Sequence, residues 1–212
     1  MIRLACVGIG YIFGLFQTSY LYGRMNGIDI REHGSGNAGT TNALRTLGMK
    51  AGVITFLGDC FKCFFAVLLV RALFGPSHPG EQVLLGMYGA LGVILGHNFP
   101  FYLKFRGGKG IAATAGLFLS LDPVLTLVAL VTFVAAVALT RYVSLGSVLV
   151  VIELLAGVIL YGVQGKWGMS GAPLYEMYAI AAFLTAMALY RHRGNIKRLL
   201  SGTERKIGER AE

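Results

Sequence analysis

Long apolar segments constrain the fold of this chain more than any other feature of its sequence. A helix needs about 20 apolar residues to cross the hydrocarbon core of a bilayer. Only 14% of the 212 residues are charged, against about 25% in soluble domains. The sequence predicts an all-α membrane protein, a single domain over residues 1–212 built as a bundle of about seven transmembrane helices. The predicted helices cover residues 4–22, 51–73, 83–103, 111–121, 123–139, 143–163 and 174–190.

Positive charges indicate which polar segments share one side of the membrane. Cytoplasmic loops carry an excess of lysine and arginine. Basic residues cluster at 23–50, 104–110 and 191–212, whereas 75–82 contains none. All three clusters reach the cytoplasm only if the short segment 111–121 crosses as well. We therefore predict a turn after that segment and seven crossings, with the N-terminus outside and the C-terminus in the cytoplasm.

Few ionisable side chains lie inside the apolar segments. Asp59 and Lys62 are three residues apart on one helix face, which predicts a structural ion pair, with a direct role in the site as the alternative. Cys60 and Cys63 also share a face, but no second pair accompanies them, so buried packing is a better interpretation than a metal or redox site. The formal net charge of +9 is spread over short gaps between apolar segments. That distribution argues against a nucleic-acid partner, which would need one exposed basic face.

A glycine-rich polar segment, Gly-Ser-Gly-Asn-Ala-Gly-Thr-Thr-Asn at 34–42, follows the first apolar segment. Its glycines match the dinucleotide-binding spacing GxGxxG, but a polar segment precedes it where that fold needs a strand, so we reject this interpretation. Glycines let backbone amides converge on an anion, and the serine, threonine and asparagine side chains add donors. The segment predicts a phosphate site, and a flexible glycine turn is the alternative.

A second glycine-rich segment, Gly-Gly-Lys-Gly at 107–110, precedes a predicted helix. It is not a nucleotide-binding P-loop, because Leu103 and Ile111 stand where that motif needs glycine and a hydroxyl residue. Lys104, Arg106 and Lys109 can neutralise a phosphate, and the start of the next helix favours negative charge. An ordinary basic membrane flank would explain the three cations but not three glycines around one lysine. We interpret this segment as a second anion site.

Two more polar segments end on the predicted cytoplasmic side. Ser144 and Ser147 lie at the start of the 143–163 segment, and His192 and Asn195 follow the last apolar segment. The predicted topology brings all four to the membrane face that carries both glycine-rich segments. The sequence thus predicts one phosphate-handling site at a bilayer surface.

In order and spacing, these segments resemble the bacterial glycerol-3-phosphate acyltransferases that use acyl phosphate. Two positions depart from the family pattern: Thr40 replaces a small residue, and Cys63 replaces the glycine that follows the Asp-x-x-Lys segment. The resemblance rests on 34–42, on Gly-His-Asn-Phe-Pro at 96–100 followed by 104–110, on 142–147, on 192–196 and on Gly-Thr-Glu-Arg-Lys-Ile at 202–207.

The resemblance implies transfer of a fatty acyl group from acyl phosphate to the sn-1 hydroxyl of glycerol 3-phosphate. The expected products are 1-acylglycerol 3-phosphate (lysophosphatidic acid) and inorganic phosphate. The expected role is in phospholipid synthesis, and the expected location is the bacterial inner membrane, with the active site on its cytoplasmic face. The expected partners are the two substrates and membrane lipid, with no cofactor and no metal. The apolar segments would hold the acyl chain in a groove open to lipid.

Residue roles follow from the same resemblance. The expected catalytic residues are Ser35, Arg45, Lys104 and His192. Glu204 is expected to anchor the C-terminal tail by pairing with a loop cation. No His-x4-Asp pair occurs in the sequence, so the proton of the attacking hydroxyl goes either to a substrate phosphate oxygen or to His192. The expected substrate-binding residues are Gly36, Asn37, Gly39, Thr41, Asn42, Arg106, Gly107, Gly108, Lys109, Gly110, Ser144, Ser147, Asn195 and Glu204.

Two other functions remain as alternatives. A transporter of a phosphorylated anion also needs cationic glycine-rich loops, but it needs access from both sides of the membrane. The outer segments 75–82 and 164–173 hold one lysine between them. A metal-dependent lipid alcohol phosphotransferase needs an aspartate cluster for magnesium. The predicted cytoplasmic loops offer only Asp29 and Glu32 near one another.

Overall fold

The computed structural model describes residues 1–209, so residues 210–212 of the predicted domain lie outside the described part. Within that part all regular structure is helical, which confirms the predicted all-α class. Two 3-10 turns, Ile30–Glu32 and Phe101–Leu103, lie in the loops. The α-helices are α1 (Ile2–Gly14), α2 (Thr18–Met25), α3 (Thr40–Leu47), α4 (Met49–Phe74), α5 (Gln82–Asn98), α6 (Ile111–Leu121), α7 (Pro123–Thr140), α8 (Val143–Val163), α9 (Ala172–Arg191) and α10 (Arg193–Leu200).

Six helical segments in residues 1–209 are long and apolar enough to cross a membrane. They are Ile2–Met25, which joins α1 and α2, Gln82–Leu103, which contains α5, and the four helices α4, α7, α8 and α9. α6 is apolar but has only 11 residues, about 16 Å of helix, and it packs among α4, α5 and α7. A crossing by α6, and the side on which each terminus lies, stay predictions.

The first apolar segment is not one continuous helix, contrary to the prediction. Gln17, in the break between α1 and α2, is fully buried. Its Nε2 donates to the Gly14 carbonyl at the end of α1 (3.0 Å) and to the His97 carbonyl of α5 (3.1 Å). Lys62 Nζ of α4 donates to the Phe16 carbonyl (2.7 Å). These buried donors satisfy carbonyls that the break leaves without helical partners.

Glycines allow α1 and α5, the most extensive helix pair, to pack at close range. A methyl group added at Gly10 of α1 would overlap the Gly89 carbonyl oxygen, and one added at Gly92 of α5 would overlap the Val7 carbonyl oxygen. Close backbone contact through small residues is a common source of helix association in membranes, where burial of apolar side chains gains little.

The helix ends form two groups. At one end, Arg3 of α1 binds Glu176 of α9 (2.5 Å) and Glu81 beside α5 (3.2 Å). Tyr161, near the end of α8, donates to Asp122 (3.1 Å), whose side chain also caps α7. The helix break predicted after residue 121 is therefore present. The opposite end gathers the loops at 26–39, 99–110 and 141–142 and the tail that follows α9.

Candidate active site

A cavity of about 1020 Å³ lies between α4, α6, α7 and α8 and continues into the loops at the second end. Its inner part is apolar, and its outer part is formed by both glycine-rich segments, the start of α8 and the C-terminal tail. Every predicted site residue lines it except Lys104 and Gly108. Lys104 is exposed at the end of a 3-10 turn, and its catalytic role stays a prediction.

Three helices begin at the cavity wall. α3, α6 and α10 start at Thr40, Ile111 and Arg193, which all line the cavity. No side chain of residues 1–209 caps any of these three starts. The N–H groups of a first helical turn lack intrahelical partners and carry partial positive charge. Phosphate oxygens can accept from such groups, so three of these turns at one cavity suit an anion, and an anion site here stays a prediction.

Asn42 folds the first glycine-rich segment. Its Oδ1 accepts from the Ser35 N–H (2.8 Å), and its Nδ2 donates to the Ile30 and His33 carbonyls (both 3.0 Å). The side chain is 1% exposed, so its donors are used inside the loop rather than on a ligand. Substrate contact by Asn42 is therefore limited to its backbone N–H in the first turn of α3. The Ser35 side chain stays exposed at the cavity.

The second glycine-rich segment lies on the end of α5. The Gly107 and Gly108 N–H groups donate to the Asn98 and His97 carbonyls (3.2 and 3.1 Å). Arg191 Nη2, from the end of α9, donates to the carbonyls of the same two glycines (3.0 and 2.7 Å). Both amides are therefore used inside the protein, and substrate binding by these two glycines stays a prediction. Gly108 is needed for space, since an added methyl group would overlap the His97 ring.

Glu204 of the C-terminal tail is the centre of the polar wall. Its Oε1 accepts from Ser144 Oγ (2.9 Å) and Asn195 Nδ2 (2.7 Å), and its Oε2 accepts from Arg198 Nε (2.7 Å). Lys109 Nζ donates to Asn195 Oδ1, which links the second glycine-rich segment to this cluster. Glu204 pairs with a cation, but that cation, Arg198, belongs to α10 and not to a loop as predicted. Glu204 joins α8 and α10 to the tail.

Burial and charge set the protonation of this polar wall. Burial acts to raise the pKa of Glu204, but hydrogen bonds from Asn195, Arg198 and Ser144 outweigh it, and the pKa lies below its usual value. Burial lowers the pKa of Lys109 to about 8, with the charge of Glu204 acting in the opposite direction. At pH 7 the wall therefore holds a carboxylate and an ammonium group that is close to deprotonation.

His192 is a neutral ring with one free acceptor nitrogen. Its Nδ1 lies 2.8 Å from the Ala188 carbonyl oxygen, and because a carbonyl only accepts, Nδ1 carries the proton. Burial, reinforced by the charge of Lys109, lowers the pKa of His192 to about 4. Nε2 is therefore an acceptor at neutral pH, which is the state that a general base needs.

Positive charge is in excess along the cavity. Arg45 Nη2 donates to the Arg205 carbonyl (3.1 Å), while its Nε is buried without a partner among residues 1–209. Burial lowers the pKa of Arg45 from its usual value, and an arginine stays charged at neutral pH even so. The lining contains two carboxylates, Asp59 and Glu204, and seven cations, Arg45, Arg106, Lys109, Arg191, Arg193, Arg198 and Arg205.

The sequence analysis assigned no role to two residues of this site. Arg191, at the end of an apolar segment, resembles an ordinary membrane flank, and its proximity to His192 in sequence was the only signal. His97 belongs to the 96–100 motif, but its contact with Lys62 depends on how α4 packs against α5. Within residues 1–209, no three Asp, Glu, His or Cys side chains lie close enough to hold a metal ion. A reaction without a metal stays a prediction.

Comparison with known sequences identifies the family. The sequence profile described as glycerol-3-phosphate acyltransferase matches residues 4–202. The glycerol-3-phosphate acyltransferase of Clostridioides difficile (strain 630) is 47% identical over 206 residues, which cover 96% of this chain and 95% of that protein. The protein of the same name from Thermus thermophilus is 42% identical over 205 residues, covering 96% of this chain and 94% of that protein.

Two solved structures share the fold. Both are of PlsY, an integral membrane glycerol 3-phosphate acyltransferase, in a glycerol 3-phosphate form (TM-score 0.81) and a lysophosphatidic acid form (TM-score 0.79). Each is 30% identical to this chain and covers 97% of it, with 96% and 95% of the PlsY chains matched. The resemblance inferred from the motifs is confirmed, and with it an integral, multi-pass membrane fold. This chain belongs to the glycerol-3-phosphate acyltransferase family.

Proposed function

We propose that the protein transfers a fatty acyl group from acyl phosphate to the sn-1 hydroxyl of glycerol 3-phosphate, without a cofactor or a metal. The products are 1-acylglycerol 3-phosphate and inorganic phosphate, and the reaction contributes to phospholipid synthesis. One observation carries the proposal: a single cavity combines a strongly cationic wall with an apolar groove in the membrane part of the bundle. Both substrates carry a phosphate, and one of them also carries a fatty chain.

The cationic wall suits two phosphates held side by side. One phosphate dianion is neutralised by two cations, whereas seven cations and two carboxylates line this cavity. The starts of α3, α6 and α10 add uncapped N–H groups at separate positions on the wall. Fixed donors and charges of this kind stabilise a transition state without reorganising when charge moves between the two phosphates.

The apolar part of the cavity suits a fatty chain. Phe118 and Leu119 of α6, Leu130 and Phe133 of α7 and Phe56 of α4 line it. Three of these side chains are also partly exposed, Phe56 by 41%, Leu119 by 42% and Leu130 by 55%. The extensive contacts of α7 are with α6 and α8, and we propose that the groove opens to the lipid between α4 and α7. An acyl chain can therefore enter from the bilayer.

Acyl transfer at this site needs little covalent help from the protein. The glycerol hydroxyl oxygen attacks the carbonyl carbon of acyl phosphate, and the bond from that carbon to the phosphate oxygen breaks as phosphate leaves. His192 Nε2 can accept the hydroxyl proton, since its ring is neutral and Nδ1 is already the donor. A phosphate oxygen of a substrate is the second possible acceptor. Positioning and charge neutralisation by Arg45 and Lys109 supply the rest.

We also propose that the cavity opens to the cytoplasm from the bacterial inner membrane, with the N-terminus outside. The basic clusters at 23–50, 104–110 and 191–209 all lie at the cavity end of the bundle, and an excess of positive charge is typical of the cytoplasmic side. Single cysteines introduced into a cysteine-free variant test this topology. A membrane-impermeant thiol reagent should label position 78 and not the exposed position 50 on intact cells.

The decisive experiment supplies purified protein with acyl phosphate and glycerol 3-phosphate and measures 1-acylglycerol 3-phosphate by mass spectrometry. We expect one phosphate released per product, and little product when acyl-coenzyme A or acyl carrier protein replaces acyl phosphate. Arg45→Ala should lower turnover at least about tenfold, whereas Lys50→Ala, an exposed residue outside the cavity lining, should not. Equal rates with acyl-coenzyme A would overturn the proposed donor.

A further inference from the structure

A buried polar cluster, Asp59, Lys62 and His97, lies between α4 and α5 under the second glycine-rich segment. Lys62 Nζ is 2.7 Å from Asp59 Oδ1 and 2.9 Å from His97 Nδ1. Asp59 Oδ1 also accepts from Thr18 Oγ1 (3.0 Å). The three cluster residues are at most 7% exposed, and Asp59 and His97 line the cavity. The predicted ion pair of Asp59 and Lys62 is confirmed, and His97 joins it as a third member.

Lys62 fixes the tautomer of His97. An ammonium group has three N–H donors and no acceptor. Here its three partners are the Phe16 carbonyl, the Asp59 carboxylate and His97 Nδ1. Nδ1 must therefore accept, and the ring proton is on Nε2. Asp59 balances the buried charge of Lys62.

The Nε2–H group of His97 is a donor without a partner. No residue in 1–209 accepts a hydrogen bond from it, although the ring is only 3% exposed. Nε2 is not among the fully enclosed atoms that lack a partner, and His97 lines the cavity, so this donor is open to the cavity. A methyl group at Gly108 would contact both Nε2 and the Ala38 carbonyl oxygen. The Nε2–H donor thus lies between the two glycine-rich segments, next to Gly108 of one and Ala38 of the other.

We infer that His97 donates through Nε2–H to a phosphoryl oxygen of a substrate, and that Lys62 and Asp59 are positioning residues that hold the ring in this tautomer. The inference rests on the proposed acyl transfer and names a further catalytic residue for it. His97 presents a donor, whereas His192 presents an acceptor. The two neutral rings therefore divide the tasks of stabilising phosphate charge and removing a proton.

Paired substitutions test the role of the donor. Glutamine at position 97 carries an N–H donor at about the same reach as Nε2, whereas leucine has similar volume and no donor. We expect His97→Leu to lower kcat at least about tenfold, the smaller end of what one donor to a reacting oxygen contributes, and His97→Gln to stay within about threefold of the parent. Equal losses in both variants, or an active His97→Leu variant of parental stability, would overturn the donor role.

A spectroscopic measurement on the unmodified protein keeps the test decisive if His97→Leu does not fold. Histidine labelled with ¹⁵N gives signals from four residues, and His97→Gln identifies the one from position 97. We expect a protonated Nε2, an unprotonated Nδ1, and a shift of the Nε2–H signal when inorganic phosphate or glycerol 3-phosphate is added. A protonated Nδ1, or an Nε2–H signal that saturating glycerol 3-phosphate and acyl phosphate leave unchanged, would refute the inference.

The two readouts separate this inference from the proposed function. If the parental protein makes no 1-acylglycerol 3-phosphate, the proposed reaction is wrong whatever the state of His97. If the parental protein is active while no added phosphate compound shifts the Nε2–H signal, only the role of His97 is wrong. Lys62→Met should further release Nδ1 and allow the other tautomer, which the same spectra would show as a change in which ring nitrogen carries the proton.

Discussion

Arg191→Lys should weaken the site by displacing the second glycine-rich segment while the cavity keeps its charge. Arg191 Nη2 binds the Gly107 and Gly108 carbonyls (3.0 and 2.7 Å), and its guanidinium lies 5.4 Å from the centre of the Phe99 ring. The lysine side chain is shorter, so its nitrogen cannot take the position of Nη2 and keeps at most one of these bonds, and it lacks the flat face that stacks on an aromatic ring. The amides of both glycines would then no longer be held firmly on the end of α5.

The magnitude follows from the contacts that are lost. One hydrogen bond to a charged donor contributes about 1.5–3 kcal/mol, and a cation–π contact of this kind about 0.5–1 kcal/mol. A net loss of about 2 kcal/mol corresponds to about thirtyfold, since 1.4 kcal/mol is tenfold. We therefore expect kcat/KM for acyl transfer to fall about thirtyfold in Arg191→Lys.

The assay measures initial rates of product formation in detergent, with size-exclusion profiles and thermal unfolding to verify folding. Arg24→Lys is the matched control, because Arg24 is exposed on α2 and does not line the cavity. If Arg191→Lys retains kcat/KM within twofold of the parent, the clamp on the glycine carbonyls is irrelevant to activity. The positive charge that lysine retains would then be sufficient for activity at this position.

Four further outcomes are expected. Because burial lowers the pKa of Lys109 to about 8, its charge is present below that pH and lost above it, so kcat/KM should be about tenfold lower at pH 9 than at pH 7, with a flatter profile in Lys109→Arg. Ser35→Ala and Lys104→Ala should each lower turnover at least about tenfold without loss of folding; parental turnover in either would remove that residue from the predicted catalytic group. Gly10→Ala should destabilise the α1–α5 contact by about 1–3 kcal/mol, seen as a lower Tm in detergent, and an unchanged Tm would mean that the two helices can separate at no cost. Activity should persist with excess chelator. A loss of activity with chelator that only added magnesium reverses would show that a metal is required.

The sequence predicts the helices of this protein well because each apolar segment must satisfy its own backbone in a membrane. The break after residue 121 is equally local, since Asp122 caps the next helix and Pro123 is compatible only with its first turn. The break at Gln17 is not local. Its side chain donates to carbonyls of α5 that lie about 80 positions away in sequence, and no pattern within the first segment reports that contact.

In the site, too, some features follow from local sequence and others depend on contacts between distant parts of the chain. The residue types that line the cavity could be predicted from the motifs, because glycines, hydroxyl residues and cations bind phosphate in most settings. The use of individual donors could not. Asn42 folds its own loop, and Gly107 and Gly108 turn their amides toward α5. The bonds of Asn42 depend on the path of its own loop, and the position of Gly107 and Gly108 depends also on Arg191, which comes from the end of α9 and meets this loop only in the folded bundle.

The opening proposed for the apolar groove, between α4 and α7, has a practical consequence for kinetics. A donor that reaches the site through the bilayer is presented at its mole fraction in the lipid or detergent phase, and its bulk concentration is irrelevant. Diluting acyl phosphate with inert detergent should therefore slow the reaction at constant molarity, while glycerol 3-phosphate, which arrives from water, should be unaffected. The apparent KM for acyl phosphate should therefore be expressed as a mole fraction in lipid or detergent, and that for glycerol 3-phosphate as a concentration in water.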